Sequence, residues 1–220
     1  MSETATQTGQ NGALTGPAQA GRAARLPRNA RRKQLLNAAQ DVFAANGYHA
    51  AAMDEIAERA GVSKPVLYQH FPGKLELYMA LLEMHVDELI ERVTHAMDST
   101  TDNKMRVRNA VSAYFEFVDG ESQAYRLVFE SDLRGEPAVQ AAIDRGTDAC
   151  VRAITATITA DAGLDEERAS LLAVGLVGIS QVAARSWLSN NRSMAKDEAV
   201  ALISTLAWKG IGGGYPLQNP

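Results

Sequence analysis

MDEIAERAGVSKPVLYQHFPGK, residues 53–74, is the stretch that decides the fold. Met53, Ile56, Ala57 and Ala60 fall at i, i+3, i+4 and i+7, which puts four apolar side chains on one helical face. Asp54, Glu55 and Glu58 take the other face, and two of these acids sit in the first turn, where the helix dipole favours negative charge. Gly61 follows where a left-handed residue ends a helix. Ser63 is placed to cap a second helix by accepting a bond from an orphan backbone N–H. Pro65 falls in the first turn of that helix, where a missing N–H costs nothing. Leu67 and Phe71, four apart, face inward, and Pro72-Gly73 stops the run. The pattern predicts a helix-turn-helix with glycine in its turn.

The outer face of the second helix carries Lys64, Val66, Tyr68, Gln69 and His70. A cation, a methyl surface, a phenol, an amide and an imidazole suit phosphates and base edges better than a protein core. The blander alternative is an αα-hairpin whose polar face is merely solvated; the run of donors and the scarcity of acids after Glu58 weigh against it. Working outward, Leu35, Ala39, Phe43, Gly47-Tyr48, Met53, Ile56-Ala57, Ala60-Gly61-Val62-Ser63, Leu67-Tyr68, His70-Phe71 and Lys74 complete a pattern over Arg31–Leu82. That pattern resembles the DNA-binding head of the TetR family of bacterial transcriptional regulators, with AGVSKPVLYQHF its most specific part. The resemblance implies an all-α protein of about nine helices: a three-helix head, then a helical body for effector binding and dimerisation. One departure stands out. The family usually has Thr or Ser before the first helix of the motif, to cap it and touch a phosphate. Ala51 and Ala52 stand here, which weakens the cap by about 1 kcal/mol.

Composition fits this reading. In a chain of 220 residues, 46% hydrophobic and 22% charged is ordinary for a globular protein. Strand-like alternation is missing, and the helix formers Ala, Leu, Glu and Arg dominate. The net charge of −4 hides an asymmetry: residues 1–74 hold nine Lys/Arg against five Asp/Glu, and the remainder carries −8. A basic head on an acidic body fits contact with DNA at one end. A single cysteine, Cys150, excludes an intrachain disulfide and suggests a reducing compartment. The longest apolar run, Leu171–Ile179, is too short to span a bilayer, and no apolar core follows a basic start at the N-terminus. The expectation is a cytoplasmic protein with no membrane partner.

Along the chain, residues 1–27 are Gly-, Thr-, Gln- and Ala-rich and are expected to be disordered. Arg22, Arg25 and Arg28 form a basic arm running into Arg31, Arg32 and Lys33, able to track phosphates or simply to be solvated. The head is expected at 28–74, with a first helix over Asn29–Asn46 ended by Gly47. The body is expected at 75–210, in helices at Leu75–Met97, Lys104–Val118, Gln123–Asp132, Pro137–Ala160, Asp165–Ser189 and one capped by Ser193 that reaches Lys209. A flexible tail at 211–220 ends the chain. LLAVGLVGIS is apolar nearly all round, which a surface helix would not be. Gly175, Gly178 and Val182, with Leu202 and Leu206 of the last helix, are therefore expected at a two-fold dimer interface, although an internal core pair would read the same way.

No enzyme reading survives. His49, His70, His85 and His95 show no metal spacing. Ser193-Met194-Ala195-Lys196 fits S-x-x-K without its companion motifs, and Cys150 lies in an apolar helical context. No catalytic residue, metal or cofactor is expected. The expected partners are a double-stranded, pseudo-palindromic operator, a second copy of the chain and a small-molecule effector. In DNA binding, Arg31, Arg32, Tyr68, His70 and Lys74 are expected on phosphates. Lys64, Val66 and Gln69 are expected on bases, with Ser63 beside them and Pro65 against a thymine methyl. Leu82, Tyr114, Phe115, Phe129, Cys150 and Trp187 are expected to line an apolar effector site. A closer resemblance, carried by GYHAAAMDEIAERAGVSKPVLYQHFPGKLELY, HVDEL, STTDN, SQAYRLVFESD, AVGLVGIS and both tryptophans, is to the branch of the family that controls fatty-acid synthase genes in mycobacteria. It implies a long-chain acyl-CoA effector and control of fatty-acid biosynthesis genes. The acidic body fits CoA phosphates awkwardly, unless Arg126, Arg145 or Arg152 offsets it. The alternatives are a repressor of an efflux or antibiotic-related gene answering another apolar molecule, and a helical lipid carrier.

Overall fold

The computed structural model describes residues 26–120, 133 and 135–214. Those residues hold eight helices and no strand: α1 Arg28–Ala50, α2 Met53–Arg59, α3 Lys64–His70, α4 Lys74–Asp98, α5 Asn103–Gly120, α6 Pro137–Ala162, α7 Glu166–Ser189 and α8 Lys196–Gly214. The expected Gln123–Asp132 helix, the basic arm at Arg22 and Arg25 and most of both tails lie outside the described residues.

The head forms as its apolar spacing dictates. Leu35, Ala39, Val42 and Phe43 of α1 pack on Ile56 and Ala57 of α2, Leu67 of α3 and Phe71, all buried. Gly47, at φ 73°, kinks α1 and turns Tyr48 back onto the head, where Phe43, Tyr48 and Tyr78 form an edge-to-face aromatic cluster. Tyr78 belongs to α4, so the long helix is part of the head's core. His85, buried on α4, lies 3.2 Å from Oε1 of Gln40 on α1 and strengthens that joint.

Further along, α4 runs into the body, between α5 and α6. The helices come close at Gly146 of α6, where a methyl group would stand 2.8 Å from Cγ1 of Val86. Asp165 caps α7 as expected, accepting from the Arg168 N–H at 2.9 Å. Ser193 does not cap α8, which begins at Lys196. The intervening turn is held otherwise: Trp187 Nε1 donates to the Met194 carbonyl, and Arg192 and Lys196 both bind Asp119 of α5. These two cations hold the Asp119 carboxyl below the usual carboxylate range. Helix α8 also continues past the expected end, with a kink at Gly210.

Candidate nucleic-acid interface and effector cavity

The turn between α2 and α3 is built from backbone bonds. Gly61 stands at φ 63°. The Val62 N–H reaches the Ala57 carbonyl at 3.0 Å and the Gly61 N–H reaches Glu58 at 2.9 Å, the paired bonds of a Schellman ending. Ala52 precedes α2 without a side-chain cap, as the sequence implied. Ser63 corrects the sequence reading. It occupies the N-cap of α3 in extended backbone, but its hydroxyl caps nothing. Pro65 removes one donor, and the Val66 and Leu67 N–H groups go to the Ser63 carbonyl instead. The hydroxyl is thereby left at the protein surface.

Helix α3 buries Leu67 and presents Lys64, Pro65, Tyr68 and Gln69 to solvent, with Val66 and His70 half-exposed. Tyr68 is 47% exposed, a large aromatic with no core to fill. Lys64 pairs with Asp54 of α2 at 2.6 Å, a surface contact that a phosphate or base can displace. The N-terminal turns of α1 converge on the other end of α3. The Arg32 guanidinium lies 4.5 Å from the centre of the Phe71 ring. Arg31 donates to Gln34, which in turn donates to the Ala60 carbonyl at the end of α2. Burial, then the fields of Arg28, Arg32 and Arg31, hold the His70 imidazole below its ordinary pKa. The sequence therefore assembles a positive ridge beside a polar recognition face.

Lys74 is placed differently from its expected role. Its Nζ donates to the carbonyls of Tyr48, His49 and Ala51 at 2.9, 3.2 and 3.0 Å, and lies 4.6 Å from the centre of the Tyr48 ring. All three ammonium protons are engaged, so it fastens the start of α4 to the end of α1 and presents no donor to a phosphate.

In the body, a cavity of about 550 Å3 lies among α5, α6, α7 and α8. Its wall is mostly aliphatic, including Val107, Ile154, Ile158, Leu172, Leu176 and Ile179. Of the expected ligand residues, Tyr114 lines it. Leu82, Phe115, Cys150 and Trp187 do not: they are core, with the Phe115 and Trp187 rings 5.6 Å apart. Phe129 lies outside the described residues. Cys150 is buried, and burial raises the pKa of its thiol and of the Tyr114 hydroxyl, so Cys150 is packed, not poised as a nucleophile. The lining also includes Arg106 and Asp161, which pair at 2.6 Å at the distal end of the body. The sequence reading missed both, because they lie 55 residues apart and meet only in the folded body.

Helix α7 shows two apolar sides. Ala169, Ala173, Val177 and Ala184 are buried, while Leu171, Val174 and Val182 are exposed at 74%, 52% and 66%. By length and composition α7 is also apolar enough to cross a membrane, but one side of it is already packed on α5, α6 and α8. Gly175 and Gly178 have nothing of this chain within reach of an added methyl. Leu202 of α8 is 38% exposed and Leu206 half-buried. Among the described residues, no group of His, Cys, Asp or Glu is arranged to hold a metal.

Comparison with known proteins agrees with this geometry. Residues 35–81 match the family "Bacterial regulatory proteins, tetR family", and residues 103–210 match "Tetracyclin repressor-like, C-terminal domain". The chain is 54% identical to the HTH-type transcriptional activator FasR of Mycolicibacterium smegmatis, over 85% of each. Its fold is similar to that of FadR from Bacillus subtilis, solved with stearoyl-CoA (TM-score 0.69, 21% identity, covering 81% of this chain and 98% of that one). A TetR-like regulator from Rhodococcus sp. RHA1 is similar at a TM-score of 0.66 and 28% identity, over 86% and 100% of the respective chains. With head and body both matched in this order, the chain belongs to the TetR family, whose members are DNA-binding transcriptional regulators.

Proposed function

We propose that this regulator senses a long-chain acyl-CoA and through it sets transcription of fatty-acid biosynthesis genes. The cavity carries the reading: about 550 Å3, walled mainly by aliphatic side chains, within the range of about 300–1,000 Å3 usual for small-molecule sites. FadR, which shares the fold, was solved with stearoyl-CoA, and FasR is the relative at 54% identity.

The working form is a two-fold dimer built on Gly175, Gly178 and Val182 of α7 with Leu202 and Leu206 of α8. Two copies of α3 then enter successive major grooves, about 34–36 Å apart, on a pseudo-palindromic operator. Arg31, Arg32, Tyr68 and His70 hold phosphates; Lys64, Val66 and Gln69 face bases, with Pro65 against a thymine methyl. Helix α4 links the two functions. Leu77 and Tyr78 at its start are buried in the head, and Met97 at its end lines the cavity. An effector moves the head only as far as it binds one α4 position better than the other. Both DNA and effector place this activity in the cytoplasm.

Native mass spectrometry of the purified dimer tests the ligand class. The expected result is a saturable adduct with stearoyl-CoA. Retention of a different apolar molecule, with no acyl-CoA adduct, would refute the assignment.

A further inference from the structure

An acyl-CoA has an apolar end and a highly charged end, and the cavity suits the first alone. Among the described residues that line it, the one cation is Arg106, and its charge is already matched by Asp161. Its Nε donates to the carbonyls of Met97 and Thr100, and its Nη1 binds Asn103 and Asp161. The arginines that the sequence offered as counter-charges also fail. Arg145 is paired with Asp87 beside Glu88, Glu91 and Asp98, Arg152 does not line the cavity, and Arg126 lies outside the described residues. The phosphates need cations elsewhere.

A second groove supplies them. It adjoins the cavity and shares Trp208 with it, and its volume is about 440 Å3. Lys104 and Arg108 of α5 face Lys209 of α8 across it, with Ser204 and Thr205 between and no carboxylate in its wall. Lys104, Arg108 and Lys209 make no ion pair among the described residues. This is a local reversal of the body's acidic balance, at the same distal end as the Arg106–Asp161 pair. Trp208 is 47% exposed and borders both the groove and the cavity, and stacking on an indole tolerates any flat ring.

We propose that this groove is the nucleotide subsite of the effector, a proposal that rests on the acyl-CoA reading above. The phosphates lie against Lys104, Arg108 and Lys209, the adenine stacks on Trp208, and the pantetheine arm passes that ring so that the acyl chain enters the cavity. The Arg106–Asp161 pair then discriminates at the lip. It is neutral as a pair and leaves Nη2 of Arg106 to donate to a thioester carbonyl, which brings no charge. A free carboxylate would set a second anion beside Asp161. The groove thus makes the protein a sensor of activated acyl chains and not of free fatty acids.

The test is calorimetric titration of the full-length dimer with stearoyl-CoA and, separately, with stearate. The variants are Lys104→Ala/Arg108→Ala/Lys209→Ala and the single Lys209→Glu. Loss of three charge-assisted contacts weakens stearoyl-CoA binding about ten-fold or more, leaves any stearate binding unchanged, and removes most of the salt dependence that the wild type shows for stearoyl-CoA. Wild-type affinity for stearoyl-CoA in variants with unchanged melting temperature would overturn the groove assignment and leave the effector reading standing. An equal loss for stearate would also overturn it, by locating the damage in the cavity. A wild-type protein that binds no stearoyl-CoA would overturn both.

Discussion

Replacing Lys74 by methionine keeps the aliphatic stem and removes the ammonium that three carbonyls share. Those carbonyls belong to Tyr48, His49 and Ala51, at the end of α1 and in the link to α2. The His49 carbonyl contact is exposed and rehydrates at little cost. The other two are half-buried, and a lost bond from a charged donor costs about 1–1.5 kcal/mol at such a partly solvated site, below the range of about 1.5–3 for fully buried charged groups. Loss of the contact with the Tyr48 ring adds a few tenths. Lys74→Met therefore destabilises the protein by about 2–3 kcal/mol, read as a lower urea midpoint at unchanged slope. The looser head weakens binding to every DNA sequence alike. Because no phosphate contact is lost, the slope of log affinity against log salt stays that of the wild type. A variant of wild-type stability whose salt slope is shallower by about one would refute this reasoning and return Lys74 to the phosphate backbone.

Gln69→Ala relaxes base preference at one operator position by about 1–3 kcal/mol, measured across a single-substitution operator library; equal loss on every sequence would remove Gln69 from the bases. The His70 pKa is lowered in the free protein by burial and by Arg28, Arg32 and Arg31. A neighbouring phosphate favours the charged ring, so DNA binding takes up a proton and strengthens as pH falls from neutrality through the His70 range. Anisotropy titrations of His70→Gln are expected to lose that slope. Val182→Glu places a charge on the exposed side of α7, and sedimentation is expected to show a monomer with little operator affinity; an intact dimer would move the interface elsewhere. Gly146→Ala forces a methyl against Val86 and costs about 1–3 kcal/mol, seen in thermal melts together with altered effector response, because the strain falls on α4.

The head was legible because its signals are local. Gly61, Pro65 and the spacing of Ile56, Ala57 and Ala60 each act within a turn or two of chain, and all took the expected places. Lys74 was misread because its partners lie 23 to 26 residues away, a distance that no local pattern encodes. The ligand residues were misread for a different reason. Large aromatics were taken as cavity lining, but Phe115 and Trp187 are large enough to fill the core they reach. The cavity lies instead where Ala110, Thr157, Gly175 and Ala207 leave room. Glycine showed the same limit: a methyl at Gly175 or Gly178 meets nothing of this chain, while one at Gly146, which the sequence did not single out, would press on Val86 of α4.

The most direct test is fluorescence anisotropy on a DNA fragment recovered by genome-wide mapping of bound sites, titrated with the purified protein with and without stearoyl-CoA. The account predicts two copies on an inverted repeat and an affinity that stearoyl-CoA shifts about ten-fold or more, while free CoA leaves it unchanged. Tight binding to the repeat that stearoyl-CoA does not alter, or no binding at all in dilute buffer, would contradict it.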